Sequence, residues 1–440
     1  PHQDYHPPPC CRREQSGYSH VPSWPHLEYV RVLARPTCLT LAGCLPHHCL
    51  PVHLIPCLPH PYPSHSPPPL LSVHSTVNTA HASEDTALIT SPLKSYGTAS
   101  IPSSIFNLSN TIVGAGVITL PYALRSAGTI IGCVMLIVTC IASMFSFSLL
   151  IRLHDATGLF SYRDIAVRAY GMRMAKICEL ILICYTAGTC IGRGVLIGDF
   201  IPRVFAHWLS SSSLWVNRDF IIAAVAVVFM LPLSLPQRLD ALQYSSLLAL
   251  VCVVYPLGVL ADPLADTGIE PSVKLVRFKP GLTLAFPLLV VAYTAHYNAL
   301  SFYRELAQRS STRIHVVTNT SCLVALIMYL AYALIGYFQF GEHTQGDVLN
   351  NFSPDWVPVL IARLTLGLAL ILSYPLVLFA LRENLDSFLF RSASPVAAAA
   401  DNPPYWRFKA LTVAIVLITN GIAIATDNVA TVFGFSGSVF

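Results

Sequence analysis

From Ile101 onward the chain is a succession of long apolar stretches divided by short polar ones. They run at roughly 102–124, 127–151, 175–200, 219–235, 241–261, 281–302, 315–340, 357–380 and 408–425, and a tenth begins near Val429. These lengths match the roughly 20 residues that a helix needs to cross the hydrocarbon core of a bilayer. Several stretches are interrupted by Gly or Pro. Membrane helices tolerate this where protein or water satisfies the freed backbone groups. The pattern predicts an all-α polytopic membrane protein of about nine to ten spans.

Composition strengthens that reading. Of the 440 residues 54% are hydrophobic and 11% charged, with a mean hydropathy of +0.59. An ordinary soluble domain carries about 25% charge. A soluble globular enzyme, a disordered protein and a nucleic-acid binder are excluded. The motifs GxxxxGK[ST], HExxH and GxSxG are absent, so no case arises for an ATPase, a metalloprotease or a serine hydrolase. No enzymatic activity and no cofactor are expected.

Residues 1–100 differ. They hold 17 of the 33 prolines and 11 of the 16 histidines. Proline at this density blocks helices and sheet ladders, so the region reads as a disordered, cytoplasmic tail; a mis-assigned leader in the gene model is the alternative. Cys38, Cys44, Cys49 and Cys57, with His47, His48, His53 and His60, lack the close pairs of a zinc site. No ordered metal is expected there. Cys133, Cys140, Cys178, Cys184, Cys190, Cys252 and Cys322 all lie in apolar runs and read as small core residues without disulfides. The chain starts at Pro1 and stops inside an apolar run at Phe440. It therefore reads as a piece lacking its last spans, truncated in the tenth.

Charge orients the spans, because loops rich in Lys and Arg stay in the cytoplasm. A cytoplasmic N-terminus places Arg152, Arg163, Arg168, Arg173, Lys176, Arg238, Arg304, Arg309, Arg313, Arg382, Arg391, Arg407 and Lys409 inside. Arg125, Arg203, Arg218, Lys274, Arg277 and Lys279 fall outside. The loop 341–356 has no Lys or Arg and suits the outer side.

The first span carries the chemistry. It reads Ser104-Ile-Phe-Asn107-Leu-Ser109-Asn110-Thr111-Ile-Val113-Gly114-Ala115-Gly116-Val-Ile-Thr119-Leu-Pro121-Tyr122. Amides at this depth are costly unless paired. Gly-Ala-Gly lets the helix unwind, baring N–H and C=O groups that a substrate or ion can satisfy. The half-helix beyond the break turns its positive N-terminus to the gap, which suits a carboxylate, and the carbonyls before it suit a cation. A small-residue helix contact is the bland alternative. Two lone arginines, Arg193 and Arg363, fall inside spans. Arg193 is within snorkelling reach of the outer interface, and the same reading applies to Arg363.

The string from Phe106 to Leu124 resembles the first span of the amino acid/auxin permease family, in the branch of sodium-coupled neutral amino acid transporters and vacuolar amino acid transporters. Other pieces follow in the family's order: Ile197-Gly198-Asp199, Leu239-Asp240 with Tyr244-Ser245-Ser246, Tyr293-Thr294-Ala295-His296-Tyr297-Asn298, Tyr303-Arg304-Glu305, and Ser373-Tyr374-Pro375. The resemblance covers 101–440. It implies eleven spans in a leucine-transporter-like inverted-repeat bundle, here C-terminally incomplete, with the sixth span facing the broken first. It further implies substrate binding by Asn107, Asn110, Thr111, Gly114, Ala115, Gly116, Tyr293 and His296, and a cation held by Asn110, Val113 and Ser373. Tyr303, Arg304 and Glu305 would form a structural ion-pair group at the inner end. Arg193 departs from the uncharged residue that the family would place in its third span.

The resulting expectation is a monomeric secondary active transporter of small neutral amino acids. It would work by alternating access, coupled to Na+ or H+, in the plasma membrane or a vacuolar or lysosomal membrane. A membrane amino-acid sensor signalling through its tail, and an inactive fragment, are the alternatives.

Overall fold

In a computed structural model of the chain the described residues are 97–210, 212–277, 281–390 and 404–426. The tail with its Cys and His residues, and the span expected near Val429, lie outside them.

The first apolar stretch is a broken helix. α1 (Ile101–Val113) starts on Ser100, whose side chain accepts the Ser103 N–H, with Pro in the first turn where no N–H is needed. It stops at Gly114. A 3-10 turn over Ala115–Thr119 follows, and α2 (Leu120–Ala127) restarts with Pro121 in its first turn. The two halves are bent by 43°. Gly128 ends α2 with φ 85, and a Cβ there would lie 2.9 Å from the Arg277 nitrogen, so only glycine fits without strain.

Then come α3 (Thr129–Thr157), α4 (Tyr162–Tyr170) and α5 (Met172–Ala206). The fourth stretch starts as α6 (Arg218–Val225), widens into a π turn at Ala226–Met230 and ends as a short helix, Leu231–Leu233. Pro232 accounts for the widened turn, because its ring cannot sit against the carbonyl four residues back. α7 (Gln243–Thr267) follows a 3-10 turn at Leu239–Leu242. The sixth stretch is broken as well: α8 (Gly281–Ala292), a non-helical step, a 3-10 turn His296–Asn298, then α9 (Ala299–Glu305). α10 (Ser311–Phe340), α11 (Val357–Phe390) and α12 (Tyr405–Ile424) complete the described helices.

Among the described residues six helices are long and apolar enough to cross a membrane, or seven if α1 and α2 form one bent span. The nine stretches read from sequence are all helical, but those at 219–235 and 281–302 are short or split and do not pass that measure alone. Among the described residues there is no strand, only one isolated bridge between Ala99 and Leu306.

α11 is the most enclosed helix and packs on α5 and α7; α10 packs on α1, α2 and α3. α3 shows how such a helix meets the bundle. Gly132, Leu136, Cys140, Ser143, Phe147 and Ile151 recur every three or four residues and are buried, while Val134, Val138, Ile141 and Phe145 are exposed. So much exposed apolar surface is unstable in water and suits lipid. All seven cysteines among the described residues are free.

Candidate functional site

The two helix breaks lie side by side. The carbonyls of Ile112 and Ala292 lose their helical partners where α1 and α8 stop. The Tyr329 hydroxyl of α10 reaches both, at 2.6 Å and 2.7 Å. One hydroxyl has one proton, so it donates to one carbonyl at a time. Other tyrosines cover the second break. Tyr185 of α5 donates to Thr294 O at 3.5 Å, and Tyr162 of α4 donates to His296 O. Buried backbone at the breaks is thus satisfied by side chains from three other helices.

A small cavity opens beside the first break, lined by Asn110, Gly114, Ile118, Phe200, Val253, Leu366, Ala369, Leu370 and Ser373. Its free volume of about 10 Å³ is about what one water-sized species requires. The expected cation residues Asn110 and Ser373, 263 positions apart in sequence, therefore share a wall. Asn110 donates through Nδ2 to Ser246 Oγ at 3.3 Å. Val113, the last residue of α1, has its side chain in the core.

Arg193 corrects the reading from sequence. It does not snorkel to an interface but is 3% exposed in the middle of the bundle. Its Nε donates to Ser373 Oγ at 3.3 Å and its Nη1 to Thr189 O at 3.5 Å. Its Nη2 lies 3.2 Å from where a Cβ on Gly114 would stand. The guanidinium is thus wedged between the break of α1 and the expected cation ligand on α11. Ser373 itself donates to Leu370 O at 3.2 Å. Arg363 is corrected too. It is 3% exposed, and its Nη2 donates to Leu349 O at 3.3 Å, under the loop 341–356.

The other expected site residues divide. Asn107 lies two turns before the break, and its Nδ2 donates to Leu239 O at 2.8 Å. Thr111 donates to Asn107 O at 2.7 Å, within its own helix. Neither lines the cavity. Ala115 begins the 3-10 turn, and Gly116 has open space where a Cβ would stand. Tyr293 is buried at the second break, edge-on to Tyr329 with ring centroids 5.1 Å apart, and its hydroxyl has no hydrogen-bond partner among the described residues. His296 stacks on Phe147 at 4.0 Å and sits 3.3 Å from Ser143 O, facing α3 and not the cavity.

Sequence reasoning missed Tyr329 and Phe200, which carry no local signal, and named Ser246 only as part of a family motif, without a role at the site. Arg193 did carry one, a lone charge in an apolar run.

Both ends of the bundle are closed by polar contacts. At one end Glu305 accepts the N–H groups of Leu239 and Asp240, each at 3.0 Å, and Asp240 accepts from Ser103 Oγ at 2.7 Å. Residues 97–100 run beside 305–307, bonded through Ala99. Arg304 pairs with Glu383 at 2.6 Å, so its partner is on α11 and not its neighbour Glu305. At the other end the loop 341–356 is tied down. Arg125 donates to Thr344 O at 2.8 Å, Arg203 to Asn350 Oδ1 at 2.9 Å, and Arg277 pairs with Glu342. Asp347 caps Leu349 N, and burial pushes its carboxyl above the usual range against the pull of Arg363 and Arg203.

Comparison with known proteins agrees in kind. The chain is 28% identical over 377 residues to the sodium-coupled neutral amino acid symporter 2 of Danio rerio, covering 78% of this chain and 73% of that one. It is 27% identical over 360 residues to the amino acid transporter AVT6E of Arabidopsis thaliana, covering 76% and 72%. The sequence pattern of the family described as transmembrane amino acid transporter protein matches residues 97–440. The chain belongs to that family.

Proposed function

We propose that this chain moves small neutral amino acids across a membrane by alternating access, driven by a gradient of Na+ or H+. The observation that carries the reading is the pair of adjacent helix breaks. A broken helix frees backbone donors and acceptors at mid-bundle, where an amino acid's ammonium and carboxylate need partners. The neutral substrate class is supported by the zebrafish relative's name.

In this reading Asn110, the backbone from Gly114 to Gly116, and Tyr293 contact substrate. Asn107 and Thr111 brace α1, and His296 supports the second break from the side of α3. The contacts of Glu305 with Leu239 and Asp240 form one gate, and the loop 341–356 forms the other. With both closed the cavity is too small for an amino acid, so binding requires one gate to open. The nine stretches would be spans of an inverted-repeat bundle acting as a monomer. Residues 1–96 would be a dispensable cytoplasmic tail, whereas 97–100, expected as part of it, pack beside 305–307 and cap α1. The membrane would be the plasma membrane or that of a vacuole or lysosome.

The test is uptake by the purified chain in proteoliposomes, with a panel of neutral, acidic and basic amino acids, under a Na+ gradient and then an H+ gradient. Gradient-dependent uptake of small neutral amino acids is expected. Binding without uptake would instead favour a sensor.

A further inference from the structure

Arg193 brings a charge to the place where transport chemistry is expected to need one. Its guanidinium is 3% exposed and, among the described residues, forms no ion pair. A guanidinium has five N–H donors. Here only two of its nitrogens find protein acceptors, Ser373 Oγ at 3.3 Å and Thr189 O at 3.5 Å. The remaining nitrogen, Nη2, lies against Gly114 at the break of α1. A buried charge without a counter-charge is strongly disfavoured unless polar groups surround it. Here a hydroxyl and one carbonyl accept from it, and the break of α1 borders the third nitrogen.

The same position defeats a sodium ion. Na+ in the cavity of Asn110 and Ser373 would need the Ser373 oxygen as a hard ligand. That oxygen already accepts from Arg193 and turns its proton to Leu370 O. The ion would also sit beside a like charge in a poorly solvated place, where repulsion is far stronger than in water. The residues present therefore do not fit Na+ as they stand.

We propose that Arg193 is a fixed cation standing in the place of a coupling Na+ at the first helix break, so that this chain needs no Na+ there. The inference rests on the transporter reading and narrows it, since H+ then remains as the driving ion. Arg193 thereby determines coupling, by holding the α1 break and Ser373 in the geometry that a bound ion would otherwise impose.

The test uses the purified full chain in detergent, with Na+ itself as probe. Thermal unfolding is followed while NaCl replaces choline chloride at constant ionic strength. The wild type is expected to show no saturable shift. Arg193→Gln, which removes the charge and keeps polarity, is expected to gain a Na+-dependent rise that saturates and disappears when Ser373→Ala is added. Arg193→Lys, which keeps the charge, is expected to stay insensitive. A saturable Na+ shift in the wild type that Ser373→Ala abolishes would overturn the proposal. So would an Arg193→Gln variant that folds and remains blind to Na+. If Arg193→Gln does not fold, the wild-type and Arg193→Lys titrations still decide, because either one showing Ser373-dependent Na+ stabilisation refutes a fixed cation. Absence of uptake for every amino acid would sink the transporter reading alone, since the unfolding measurement needs no substrate.

Discussion

Tyr293 and Tyr329 touch edge-on at the two breaks, yet their hydroxyls differ in surroundings. Tyr329 serves two carbonyls, and Tyr293 serves none among the described residues. Removing a hydroxyl that satisfies buried acceptors leaves them unpaired, at about 1–3 kcal/mol. Tyr329→Phe should lower unfolding stability in detergent by about that amount, while Tyr293→Phe should leave it unchanged or slightly raise it. If Tyr293 instead waits for substrate, its Phe variant should weaken amino-acid binding at unchanged stability. Equal stability losses in both variants would show that the rings, not the hydroxyls, hold the breaks. Residues of this kind were only partly legible in the sequence. Asn110 and Gly114 announce themselves as an amide and a break inside an apolar helix. Tyr329 is one aromatic among many in its helix, and only the meeting of Ile112 and Ala292 gives it a role. Arg193 was visible as an odd charge, but a side chain that could reach an interface or Ser373, 180 positions away, was assigned to the nearer in sequence.

At the scale of elements the first break was legible and the second was not. Gly114 and Gly116 weaken the helix locally and Pro121 suits a restart, so the chain itself carries the signal. The step from Tyr293 to Ala295 holds neither Gly nor Pro. It stays open because hydroxyls of Tyr185 and Tyr329, from distant elements, take the carbonyls that a helix would have used. The turn Leu239–Leu242 is another element made from outside. Glu305 caps it by presenting one carboxylate oxygen to each of two N–H groups. A glutamine would turn an NH2 toward one of them. Hydrogen bonds to a charged group contribute about 1.5–3 kcal/mol, so Glu305→Gln should loosen this end by that scale. The measurable result is faster thiol labelling of a cysteine placed at Ala99, which is 4% exposed in the closed form. Unchanged labelling would mean that the Arg304–Glu383 pair and the 97–100 contact close this end without Glu305.

At the scale of the whole molecule, hydropathy located the helices but not their order from centre to edge. Apolar 18-residue stretches of α3 and α11 have nearly the same mean hydropathy, 2.4 and 2.3, yet the buried share is 28% in one and 83% in the other. Lipid is as apolar as a protein core, so composition alone does not separate the two places. Charge, by contrast, sorts the ends. The loops assigned to the inside by their Lys and Arg meet one another: Arg304 pairs with Glu383, Arg163 donates to Ser387 O, and Ser311 donates to Asp155. Those assigned to the outside do the same through Arg125, Arg203, Arg277 and the loop 341–356. Contact within each group follows if both lie at the same level of the bundle, and the excess of positive charge then names the cytoplasmic one. Gly346 tests this assignment directly. It is exposed at the crest of the loop, and a side chain there meets nothing within 4 Å, so Gly346→Cys should leave the fold intact. On a background lacking the native cysteines, an impermeant thiol reagent should label it from the face opposite the cytoplasm in intact cells or sealed vesicles. Labelling from the cytoplasmic face alone would invert the bundle and make Glu305 and Leu239 part of the outer gate.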